Sequence, residues 1–128
     1  RKRVASLINC KPEEIYFTSC GSESDNTALK GIADKYNKKG KYIITSKIEH
    51  PAILHTAQNL ERHGYNVTYV DVDKNGIINL EKLQNAINSE TILISIMFAN
   101  NEIGTIEPIE KISEIAHKHG IIFHTDAV

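Results

Sequence analysis

Apolar residues along the chain recur in two rhythms, short continuous or alternating runs and longer stretches with a three-to-four residue period. The first rhythm marks strands and the second amphipathic helices. Arg1 to Asn9 reads as the end of a helix with Val4, Leu7 and Ile8 on one face, and Lys11 to Glu14 as a turn. Ile15 to Thr18 is predicted as a strand. Ser22 to Asn37 is predicted as a helix with Ala28, Leu29, Ile32 and Ala33 facing inward, and Gly40 as its stop signal. Tyr42 to Thr45 follows as a strand. Pro51 to His63 is framed by proline at the start and Gly64 past the end, the usual helix asymmetry. Asn66 to Val70 is a strand, Asp73 to Gly76 an Asn-Gly turn, and Leu80 to Ile87 a short helix. Thr91 to Met97 is apolar enough for a strand buried on both faces. Ile109 to His119 is a helix closed by Gly120, and Ile121 to His124 is the last strand.

Strand and helix alternate throughout, which predicts an α/β fold with a mostly parallel sheet. No linker-like stretch or internal repeat divides the chain, so one domain is expected. Ligands of open α/β sheets bind beyond the carboxyl ends of the strands. The segments expected there are Ser19 to Asn26, Lys47 to His50, Ala99 to Thr105, and Thr125-Asp126. The opposite edge is expected to carry structural turns such as Asp73 to Gly76.

Composition narrows the function. The 128 residues are 41% hydrophobic and 24% charged with a net charge of -1, as in ordinary globular proteins rather than disordered ones. No basic stripe favours a nucleic acid, and no apolar run is long enough for a membrane helix. Cys10 and Cys20 form no disulfide framework and have no metal-ligand spacing with the scattered histidines. A reducing, cytoplasmic location is expected, with no metal site. The absence of an initial Met, and an end at Val128 just after an apolar strand, are read as those of an internal fragment.

Each candidate residue admits a functional and a plain reading. Gly21 and Ser22 precede a helix, where free N–H groups and the dipole bind phosphate; alternatively Ser22 is only an N-cap, with Asp25 completing a near capping box. His50 can stack on a ligand or shuttle a proton, or be a surface histidine. In Asn100-Asn101 one amide can reach into the cleft, or both can brace the loop. Asp126, after an apolar strand, needs a partner; a protonated pyridine nitrogen would serve, as would a helix cap or salt bridge.

Taken together, the order of these segments resembles the cysteine desulfurase family of the NifS/IscS type, in the class V aminotransferase group. The stretches are Phe17-Thr18-Ser19-Cys20-Gly21-Ser22-Glu23-Ser24-Asp25-Asn26, Ile48-Glu49-His50-Pro51-Ala52, Ser95 to Gly104 with its Asn100-Asn101-Glu102-Ile103-Gly104, and His124-Thr125-Asp126-Ala127. The resemblance spans the chain. It implies part of the three-layer large domain of a pyridoxal 5′-phosphate (PLP) enzyme. Gly21 and Ser22 would bind the cofactor phosphate, His50 would stack on the ring and assist proton transfer, Asn101 would bond the phenolic oxygen, and Asp126 would pair with the ring nitrogen. Ser22 stands where the family commonly has threonine, and Cys20 where it often has glycine. The substrate implied is L-cysteine, converted to L-alanine with sulfur passed to an enzyme persulfide. A homodimer and a sulfur-acceptor or scaffold protein for iron–sulfur or thio-cofactor synthesis are implied partners.

The family's Schiff-base lysine lies in a Ser-x-His-Lys motif that these 128 residues do not contain. The mobile-loop cysteine and the small C-terminal domain are likewise not among them. The chain alone is therefore expected to be inactive. Alternatives are another enzyme of the group, such as a selenocysteine lyase, or a non-catalytic remnant of the fold.

Overall fold

The computed structural model describes residues 1–128. Its helices are α1 (Lys2–Leu7), α2 (Gly21–Tyr36), α3 (Pro51–Arg62), α4 (Leu80–Ala86) and α5 (Ile109–Lys118), with a 3₁₀ turn at Pro12–Glu14. The strands are β1 (Tyr42–Ser46), β2 (Asn66–Val70), β3 (Thr91–Ser95) and β4 (Ile122–His124). All strand pairs are parallel, in the order β2-β1-β3-β4.

Alternation along the strands builds two cores. Ile44 and Ile94 point to one face, where they meet Leu83 of α4 and Ile112 and Ala116 of α5. Ile43 and Leu93 point to the other, against Leu29 and Ala33 of α2 and Ile53 and Leu60 of α3. Helices on both faces bury β3 completely, as its unbroken apolar run predicts. The register slips by one residue between Tyr42 and Ile43, whose partners are Thr91 and Leu93. The extra residue, Ile92, joins Leu93 in the α2–α3 core, as a bulge permits.

Two expectations fail. Ile15 to Thr18 is extended but belongs to no strand. Its residues favour a strand, but propensity does not supply a ladder partner, and Tyr16 and Phe17 stand 80% and 67% exposed. The Asp73–Gly76 turn does not lie on the opposite edge. It follows the carboxyl end of β2 and touches the loop after β3, with Thr105 Oγ1 donating to Asn75 O at 2.7 Å.

Gly40 does more than end a helix. Its backbone crosses Glu90 so closely that an added Cβ would lie 2.2 Å from the Glu90 carbonyl oxygen. Neither backbone can yield without disturbing the start of β1 or β3, because Tyr42 N–H donates to that same carbonyl. Gly40→Ala in the full-length protein is expected to cost about 1–3 kcal/mol by overpacking, read as a lowered thermal midpoint. An unchanged midpoint would show that this crossing is loose.

Candidate functional site at the carboxyl edge

The segment before α2 is held from both sides. Thr18 Oγ1 lies 2.6 Å from Ser24 Oγ and donates to Cys20 O at 3.1 Å. Glu23 accepts from Ser19 N–H at 2.6 Å and Ser19 Oγ at 2.7 Å. Those bonds, the backbone one first, hold the Glu23 carboxyl below its ordinary range. Cys20, not Ser22, is the N-cap, and no side chain caps the helix. The capping reading of Ser22 therefore falls away. Gly21 and Ser22 open a 16-residue helix, where the first N–H groups have no carbonyl behind them.

That helix start faces a pocket of about 210 Å³ lined by Cys20, Gly21, Ser22, Asp25, His50, Asp126 and Val128. Four of the predicted residues thus meet at one place. A Cβ on Gly21 would come within 2.8 Å of Cγ2 of the exposed Val128. His50 is the N-cap of α3, and its Nδ1 accepts from Ala52 N–H at 3.1 Å. A neutral ring that accepts at Nδ1 carries its proton on Nε2. Asp126 is anchored by its backbone, whose carbonyl accepts from Phe98 N–H at 2.8 Å. Its Oδ1 accepts from Val128 N–H at 3.0 Å.

Asn101 is not among the residues lining that pocket. It is exposed and lines a neighbouring pocket of about 370 Å³ that shares His50 and also includes Lys47, Glu49 and Glu102. The bracing role belongs to Asn100. Its Oδ1 accepts from Glu102 N–H at 2.9 Å and Ile103 N–H at 3.0 Å, and its Nδ2 donates to Ile48 O at 2.9 Å. One asparagine fixes the loop and its neighbour is presented by it.

Sequence reasoning missed three titratable groups. Asp25 is only 4% exposed; burial first, then the charge of Asp126, push its carboxyl up to about 6, while His50 opposes them. The signal was present: Asp25 lies on the same four-residue spacing as the buried Leu29 and Ala33. His124 Nδ1 lies 2.9 Å from Ser95 Oγ, and burial lowers its pKa against the pull of Asp126. Glu49 is buried beside His50, and its Oε1 accepts from Ser46 Oγ at 2.6 Å and Met97 N–H at 3.1 Å. Burial dominates and raises its carboxyl to about 7. Nothing in the local sequence marked it.

The buried polar atoms left without a partner are Glu49 Oε2, Glu107 Oε1 and Thr125 Oγ1, all in segments that cluster at the carboxyl edge of the sheet. The main pocket offers helix N–H groups and a hydroxyl, an imidazole, and carboxylates. Such a set suits a molecule with an anionic group, a flat ring and a cationic nitrogen.

The sequence profile of the aminotransferase class-V family matches residues 1–128, and the chain belongs to that family. It is 60% identical over its whole length to cysteine desulfurase IscS of Clostridium botulinum (strain Kyoto / Type A2). A solved NifS-like protein superposes with a TM-score of 0.95 at 43% identity, covering 99% of this chain and 35% of that one. SspA, solved in complex with cysteine, superposes with a TM-score of 0.93 at 43% identity, over 98% of this chain and 36% of its own. The chain spans about a third of the length of the curated relatives it matches. No helix is long and apolar enough to cross a membrane.

Glu49 gives a pH test. Its carboxyl is raised in the folded state, so the folded state holds the proton more tightly than the unfolded one. Its contribution is favourable below about 4.5 and is lost as pH rises towards about 7. Glu49→Gln keeps the acceptor and removes the titration. Its thermal midpoint relative to the parent protein is expected to rise between those values, by the equivalent of roughly 3–4 kcal/mol at most. A difference that stays constant with pH would show that Glu49 is not strained by its charge.

Proposed function

We propose that this chain supplies part of the PLP cradle of a cysteine desulfurase. The observation that carries the reading is the convergence of Gly21, Ser22, His50 and Asp126 on one pocket. The donor set fits the cofactor: an anion site at the start of α2, a carboxylate for a ring nitrogen, and an imidazole within the same pocket. PLP supplies an electron-withdrawing ring that labilises bonds at the substrate α-carbon.

This chain's residues bind and orient. The N–H groups of Gly21 and Ser22 and the Ser22 hydroxyl hold the phosphate. Asp126 keeps the ring nitrogen protonated. Asn101, from the adjoining pocket, bonds the phenolic oxygen. His50 lies against the ring, and its Nε2 is the nitrogen available to carry a proton, because Nδ1 is engaged by Ala52 N–H. The substrate is L-cysteine, with L-alanine as product and sulfur transferred to an enzyme cysteine. That cysteine and the Schiff-base lysine belong to other parts of the whole protein, of which residues 1–128 form a portion of the large domain. The whole protein is a cytoplasmic homodimer that hands sulfur to an acceptor or scaffold for iron–sulfur or thio-cofactor synthesis.

The test uses the full-length protein. Titration with PLP, followed by absorbance, should show saturable binding. Asp126→Ala should weaken it at least about tenfold, the loss expected for one charge-assisted bond. Sulfide release from L-cysteine should fall with it. The 128-residue chain alone should release no more sulfide than free cofactor does. Saturable binding unaffected by Asp126→Ala would refute the assignment of the ring nitrogen.

A further inference from the structure

The pocket contains a carboxylate that the assignment above leaves without a task. Asp25 sits in the second turn of α2, above Leu29 and Ala33, and lines the same space as Asp126. A buried carboxylate is costly unless something cationic or strongly donating meets it. Its nearest ring nitrogen is His124 Nε2 at 3.7 Å, beyond hydrogen-bond range. Burial disfavours a charge on that imidazole, so the ring offers a dipole and not a countercharge. The other titratable groups facing the pocket are His50 at the start of α3, Cys20 at the cap of α2, and Asp126 beyond β4. Glu49, which lines the neighbouring pocket, feels the charge of Asp126. Within residues 1–128 no lysine or arginine lines the pocket.

Within residues 1–128, two carboxylates share this pocket and no lysine or arginine joins them. A ring nitrogen bonded to Asp126 accounts for one of them. The second acts at longer range: each added negative charge favours the protonated form of a nearby base.

We propose that Asp25 is a positioning residue for this site, a second carboxylate that together with Asp126 holds a bound heteroaromatic ring in its protonated, cationic form. This rests on the PLP assignment above. In return the bound cation relieves Asp25, whose ionised form then has an opposite charge nearby. The Ser95–His124 pair fixes the imidazole between β3 and β4, so its Nε2 edge stays turned toward Asp25.

The experiment is NMR titration of PLP carrying an isotope label at the ring nitrogen, bound to the full-length protein. In Asp25→Asn the bound nitrogen should lose its proton about one pH unit lower than in the parent, and Asp25→Glu should recover most of that difference. Equal titration in parent and Asp25→Asn overturns the proposal while leaving the cofactor assignment standing. A parent protein that binds no PLP overturns both. If Asp25→Asn does not fold, the parent alone decides. Its Asp25 carboxyl carbon should titrate near about 6 without cofactor and move clearly lower once cofactor saturates the site. A titration that does not move overturns the proposal.

Discussion

The site depends on one pairing: β1 and β3 lie side by side and run the same way. Their ends therefore open at the same edge, and the chain beyond each is tied to the other. Glu49, past β1, accepts the N–H of Met97, past β3. Asn100 returns the bond by donating to the carbonyl of Ile48. Parallel pairing needs helices on both faces, and these complete the pocket. His50 caps the start of α3, and α2 points its N-terminus at the same place. An antiparallel β3 would send Asn101 to the far edge.

The same edge gathers charge that the fold tolerates at a cost. Asp25, Glu49 and Glu107 are each at most 4% exposed, and burial raises all three carboxyls. Glu49 and Glu107 recover part of that cost through backbone N–H donors, from Met97 and Ile78 respectively. Asp25 has no such donor. Of the three, only Asp25 lines the pocket at the start of α2, together with Asp126; carboxylates there favour a cation, and the helix start favours an anion.

Much of this was legible in the sequence, because it was local. The Pro51 and Gly64 frame gave α3 nearly whole, and the apolar run from Thr91 gave a strand buried on both faces. Asn66–Val70 was read to the residue. Non-local facts were out of reach. Ile15 to Thr18 has strand-like residues but no neighbour to pair with. Asp73–Gly76 could be assigned to an edge only once the direction of β2 was known. Gly40 carried a packing constraint that shows only when Glu90 is placed against it. At the site, four of the five predicted residues line one pocket, and Asn101 stands at the next. Asp25 was overlooked because its three-residue offset from Ser22 imitated a capping box, when its spacing to Leu29 marked it as buried.

We propose that one pocket at the carboxyl edge holds PLP in a single orientation. The decisive measurement is a crystal structure of the full-length protein with the cofactor bound. The phosphate is expected at the N–H groups of Gly21 and Ser22, the ring nitrogen at Asp126, and the imidazole of His50 against the ring. A cofactor bound with its phosphate away from the start of α2, or with its ring nitrogen facing any group other than Asp126, would contradict it.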